Sequence, residues 1–401
     1  MKRRDFLKLS SMATVACSLN GLPIHAYGQE TAVRKTRNTN GKILVLVRMA
    51  GGNDGLNMVI PIDRYAELTA ARADILIPQN QVLGLNGNSN TALHPGMTAM
   101  KNMYDNGKLN IIQGVSYPNP SYSHFRATDI YSSASDASLF VNSGWIGRFI
   151  DQQFPGAPNA YPNPSFLDPL SIEIGSMASS VLMGNQGLNG FTIADIDNFY
   201  NIVNGTVDPA PNTRGGNELT YVRYIIQQTQ AYTSRIQSSA LAGSNVATYP
   251  SNNNLADQLK IVAKLISGGL QTPVYIVTID GFDTHDTQVD SSDHRLGWHA
   301  DLLTNLSNAI GAFQEDLELQ NLDQNVVGLT FSEFGRRIIS NGSHGTDHGE
   351  AAPMFVFGTQ VNQSVIGTSP VLPAAATVYD SVPMQHDFRQ IYSTILSDWF
   401  G

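Results

Sequence analysis

The chain has almost no cysteine. Cys17 is the one among 401 residues, and it lies in a stretch read below as an export signal. A processed protein of this kind has no disulfide, no thiolate ligand and no cysteine nucleophile. Positive charge is also scarce: 24 Lys and Arg stand against 33 Asp and Glu, a formal net charge of -9. No basic run follows residue 37, so neither nucleic acid nor an anionic membrane surface is expected as an electrostatic partner. Charged residues make up only 14% of the chain and hydrophobic ones 42%, enough for a large core in one large domain or two ordinary ones.

What is present begins with the N-terminus. Residues 1–28 combine a basic start, a moderately apolar middle and small residues near Ala26 and Gly28, the pattern of a removed signal. Arg3 and Arg4 followed by Asp5, Phe6, Leu7 and Lys8 resemble a twin-arginine (Tat) export signal. The apolar part is too short and too polar for a comfortable membrane span, so no transmembrane anchor is expected after processing. Cys17 could instead accept a lipid, although Thr14-Val15-Ala16 matches a lipobox poorly. Removal of residues 1–28 takes away a net +3 and leaves about -12. Twin-arginine export usually carries folded proteins, often with a cofactor already bound. The expected location is periplasmic or secreted, with the Tat export machinery as a partner.

Residues 29–41 are polar and predict a flexible lead-in. Five short apolar runs follow, at 42–47, 109–116, 273–279, 325–331 and 354–358, each suited to a strand covered on both faces. Helical spacing occupies 216–238, 255–267 and 299–319, and the C-terminal HDFRQIYSTILSDWF reads as a helix. Alternating strands and helices predict an α/β fold with a largely parallel sheet. Residues 155–215, rich in Pro, Asn, Gly and Ser, read as a loop-rich insertion within a single domain spanning 42–401.

In open parallel sheets ligands bind beyond the carboxyl ends of the strands. After the first run come Asn53, Asp54 and Asn57. After the second come Ser121, Ser123 and His124, and after the third Asp280, Asp283, His285 and Asp286. The fourth leads to Glu333, Arg336 and Arg337, then to His344, Asp347 and His348. Carboxylate and imidazole donors at one sheet edge suit zinc, manganese or iron. Each group also has a plain structural reading. Asn-Asp-Gly is a turn string, and Ser123 is well placed as an N-cap. Asp280 can cap a turn, and Glu333 can pair with Arg336 or Arg337. Asp347 can hold a ligating histidine in place. His94, His294, His299 and His386 read as structural, with His299 nearest in sequence to the Asp283 loop.

VRMAGGNDGLN, YSHFRATDIY, GWIGR, DGFDTH, LTFSEFGRR, GTDHGEAAPMFVFG and DFRQIYSTILSDWFG together resemble the bacterial domain-of-unknown-function family 1501. That family is often exported and is related to the alkaline phosphatase superfamily. The resemblance spans roughly 42–401 and implies an alkaline-phosphatase-like three-layer sandwich with a two-metal site at the strand ends. It implies that Asp54 bridges metal and nucleophile and that Ser123 is the nucleophile. Asp283 (or Asp280), His285 and His348 would be ligands of the first metal. Glu333 falls where the superfamily has an Asp-His dyad, whose histidine is replaced here by Phe334, so the second metal site is short of a ligand. Arg336 or Arg337 could supply the missing positive charge. The expected function is metal-dependent hydrolysis of phosphate or sulfate esters, small or polymeric. The alternative is a non-catalytic, metal-stabilised binding or assembly module, and a third possibility is a polysaccharide-binding surface protein using the 155–215 insertion.

Overall fold

A computed structural model of the chain describes residues 39–194 and 232–401, together with two two-residue strands, Ser18–Leu19 and Leu22–Pro23. Residues 195–215 of the expected insertion, and the first part of the 216–238 helical pattern, lie outside these residues. Residues 232–242 are helical.

Among the described residues the central sheet holds nine strands. They are β1 (Ile43–Ala50), β2 (Leu109–Ser116), β3 (Ile172–Ile174), β4 (Phe191–Ile193), β5 (Val274–Asp280), β6 (Val326–Phe331), β7 (Ala352–Phe357), β8 (Ser364–Ile366) and β9 (His386–Asp387). Their order is β8-β2-β7-β6-β1-β5-β3-β4, with β9 beside the end of β2. Every pairing is parallel except those of β7, which runs antiparallel to both neighbours. The connection from β6 to β7 carries no helix, and a parallel return needs a crossover of a dozen residues or more, usually helical. The chain therefore turns straight back.

Helices cover both faces. They are α1 (Gly55–Met58), α2 (Tyr65–Arg72), α3 (Thr98–Asp105), α4 (His124–Ser133), α5 (Trp145–Gln153), α6 (Asn254–Ser267), α7 (Trp298–Leu319) and α8 (Phe388–Thr394). Side chains alternate along a strand. Ile43, Val45, Val47 and Met49 of β1 accordingly join the core of α3, α6 and α7. Leu44 and Leu46 join the core of α4, α5 and α8. Double coverage is why β1 reads as a continuous apolar run, and burying each of these side chains contributes about 1.5–3 kcal/mol. The expected three-layer α/β arrangement with a mostly parallel sheet is the one observed. No helix of the described residues is long and apolar enough to cross a membrane.

The register places four loops together. Asp280 pairs with Ala50 and Phe331 with Arg48, so β1, β5 and β6 end level with one another. Antiparallel β7 begins at the same edge, Ala352 opposite Val115 near the end of β2. The segments 51–54, 117–123, 281–297 and 332–351 thus emerge along one sheet edge.

Candidate metal centre

The loop after β1 is pressed against its neighbours. Gly51 and Gly52 both have positive φ, 124° and 78°, a region that favours glycine. A Cβ on Gly51 would stand 2.3 Å from the Asp283 nitrogen, and one on Gly52 would stand 2.1 Å from the Phe334 ring. This close approach is what the Gly-Gly pair supplies.

Arg336 ties the same loops. Its buried guanidinium donates to the carbonyls of Gly52 (2.7 Å), Gly51, Phe282 (3.1 Å) and Thr346 (2.9 Å), and to Asp283 Oδ1. A side chain expected to face substrate is thus committed to backbone and to one carboxylate. Asp54 is also engaged elsewhere. Fully buried, it accepts from Arg72 Nη1 at 3.0 and 2.8 Å, from Gln288 Nε2 at 2.6 Å and from the Leu56 nitrogen at 3.2 Å. Burial raises its pKa, but the charges of Arg72 and His299 and the hydrogen bonds outweigh this and hold it below the usual aspartate range. Arg72, which the sequence reading passed over, goes on to the carbonyls of Ile338 and Arg337.

Four other side chains converge. His285 Nε2 lies 2.8 Å from His348 Nε2 and 3.1 Å from Asp283 Oδ1, and His348 Nε2 lies 3.2 Å from that same oxygen. His124 Nε2 lies 3.4 Å from Asp283 Oδ2. Among the described residues, donor atoms of His124, Asp283 and His348 lie within 4.8 Å of one another, a grouping able to hold a metal ion. Asp283 and His285 are nearly half exposed, at 46% and 44% of the side chain, so the centre opens to solvent. Phe334, at the position of the missing dyad histidine, is buried with its ring 4.8 Å from that of His124 and 4.6 Å from that of His348. It forms an apolar floor.

The outer contacts decide the tautomers. His285 Nδ1 donates to Asp347 Oδ1 (2.9 Å), His348 Nδ1 to the Tyr122 carbonyl (2.8 Å) and His124 Nδ1 to Glu333 Oε1 (3.0 Å). Carboxylates and carbonyls only accept, so in each neutral ring Nε2 carries a lone pair. Burial foremost, with Arg336 and His124 adding to it, lowers the His348 pKa against the opposing Tyr122 carbonyl and Asp283 and favours the neutral ring. For Asp283, burial raises the pKa, but the bond and charge of Arg336, with His348 and His285, outweigh it and keep the carboxylate ionised. The buried His124 Nε2 has no hydrogen-bond partner. Lone pairs and an anion facing one point, one of them orphaned, fit a divalent cation.

The structure brings Asp283, His285 and His348 together among the sequence-predicted residues. Glu333 stands one step outside, holding His124 and accepting from the Gly51 nitrogen at 2.9 Å. Ser123 is exposed as the N-cap of α4, and its hydroxyl makes no capping bond. Asp54 does not join the cluster, and Asp280 is the exposed last residue of β5. Asp347 sits behind His285 as a supporting carboxylate. His124 was named among the strand-end residues but given no ligand role. Its signal is its place at the head of a helix that follows a strand end, directly after Ser123.

Residues 256–398 match the model of a family, DUF1501, described as a protein of unknown function. The matched segment contains Asp283, His285, Glu333, Arg336 and His348, whereas Asp54 and His124 come from outside it. No curated protein matches the chain. Among solved structures, the zinc complex of the C-terminal periplasmic domain of EcEptC from Escherichia coli is similar at 10% identity and a TM-score of 0.36, over 81% of this chain and 75% of that one. A protein in the alkaline phosphatase superfamily from Vibrio parahaemolyticus is similar at 8% and 0.35, over 92% and 71%. PsFucS1 sulfatase from Pseudoalteromonas sp. is similar at 9% and 0.35, over 90% and 68%. Likenesses this distant bear on neither ligand nor chemistry.

Proposed function

We propose that this protein is an exported, metal-dependent hydrolase of phosphate or sulfate esters with an alkaline-phosphatase-like fold. The observation that carries the reading is the convergence of Asp283, His285 and His348, each held from behind, at the solvent-open edge of the sheet. These residues would hold one divalent ion, zinc by preference, with manganese or iron as the other chemically apt choices. When bound, such an ion supplies Lewis-acid polarisation of a phosphoryl or sulfuryl oxygen. Ser123, exposed beside His124, presents its hydroxyl as the nucleophile. Arg336 holds Asp283 ionised and aligned, and Asp54 braces the β1 loop through Arg72. The test is a phosphatase and sulfatase substrate panel on the exported protein, with Ser123→Ala and His285→Ala alongside. Hydrolysis lost in both variants is expected. A wild-type protein that binds metal but hydrolyses none of the panel rejects the reading.

A second reading is favoured by a specific observation. The donors of Arg336 are committed to backbone and Asp283, and Asp54 is committed to Arg72 and Gln288. Neither offers a substrate a free charge. A non-catalytic, metal-stabilised binding or assembly module fits that economy. In that case His285→Ala lowers metal content and melting temperature with no activity to lose.

A further inference from the structure

The proposal concerns the ligand set and rests on the metal-centre part of the reading above, not on ester hydrolysis. We propose that His124, carried in by α4 and oriented by Glu333, is a fourth donor, making a three-imidazole, one-carboxylate centre that selects zinc-like ions over magnesium and calcium.

Three observations carry this. His124 Nε2 is buried, faces Asp283 Oδ2 at 3.4 Å and has no hydrogen-bond partner. A buried nitrogen left unpaired costs about 1–3 kcal/mol, an expense that a cation at this point would remove. Second, the outer shell repeats. Glu333 stands behind His124 as Asp347 stands behind His285 and as the Tyr122 carbonyl stands behind His348. A carboxylate or carbonyl on Nδ1 is the usual support of a ligating histidine, where it fixes the tautomer and raises the basicity of Nε2. Third, the support is itself anchored, because Glu333 Oε1 also accepts from the Gly51 nitrogen at 2.9 Å. Glu333, an expected ligand, thereby acts as a positioning residue.

The chemistry of the set follows. Three neutral imidazoles and one carboxylate suit zinc and its neighbours, whereas magnesium and calcium prefer all-oxygen shells. The fourth ligand also links the chain's two halves at the centre. α4 precedes the matched segment, and the other three donors lie inside it.

X-ray absorption at the zinc edge of the full-length, zinc-loaded protein counts imidazoles without any substitution. Three are expected. Competition against a zinc chelator then compares variants. His124→Ala should lose zinc affinity by at least ~10-fold, and Glu333→Gln, which keeps the acceptor but loses the charge, by roughly 10–100-fold. For Glu333→Gln the melting temperature in excess chelator should equal that of the wild type, an equality that a merely structural role would break. Millimolar magnesium or calcium should not displace zinc. Two imidazoles in the wild type, or undiminished affinity in His124→Ala, overturns the proposal even where esters are hydrolysed. Three imidazoles with no hydrolysis leaves it standing and removes the hydrolase reading instead.

Discussion

Single residues show where sequence reasoning reached and where it stopped. Asp283, His285 and His348 were legible because carboxylates and imidazoles gather beyond the strand ends, where an open sheet binds its ligands. His124 was not, because one histidine at a helix start looks like any other. Arg72 was invisible, since its partners Asp54, Arg337 and Ile338 are distant in sequence. The histidines read as structural make a prediction of their own. Burial lowers the pKa of His94 from 6.5 to about 3, and His299 adds to the shift. Burial foremost lowers that of His299 to about 4 against the opposing pull of Asp54, with Arg336 and Arg72 adding to the shift. Both folded-state values lie below the unfolded one, so the unfolded chain binds the extra protons. Stability is therefore full above about pH 6.5 and falls as pH drops toward 4, by up to ~1.4 kcal/mol per pH unit for each ring. Asp54 acts in the same direction only below its ordinary 3.8. Urea midpoints from pH 8 to pH 5 should decline, and His299→Gln should flatten the decline. An unchanged slope in that variant contradicts the assignment.

At the scale of elements, the five long strands and the helices α6 and α7 could be read from apolar runs and helical spacing to within three residues. Two features could not. β7 looks like its parallel neighbours because burial on both faces produces the same run in either direction. β3 and β4 have three residues each, too few for a period, so they were absorbed into an expected insertion although they extend the sheet. The turn after β1 was legible only as glycine-rich. Its purpose is contact, and this yields a prediction. Gly52→Ala places a methyl group inside the Phe334 ring and strains a positive φ. The expected cost is about 2–4 kcal/mol, read as a lowered denaturation midpoint together with weakened metal retention, because Phe334 underlies both His124 and His348. A midpoint equal to wild type shows that the loop is not packed as described.

On the scale of the whole molecule, a level register at one sheet edge gathers residues from 124 to 348 into one centre. Strand order and register are long-range properties, so the gathering could be anticipated from strand ends but its ligand geometry could not. Export belongs to this scale as well. If the twin-arginine start acts as expected, Arg3→Lys with Arg4→Lys should leave the protein in the cytoplasm, as fractionation and immunoblotting would show, and normal export of that variant would contradict it. The central claim is the metal centre, and it is tested most directly by elemental analysis of the exported protein before and after chelation, with ester hydrolysis followed in parallel. The account predicts about one zinc-like ion per chain, lost together with hydrolysis on chelation and restored together on adding zinc. A protein that carries no divalent transition metal and melts at the same temperature with or without chelator would contradict it.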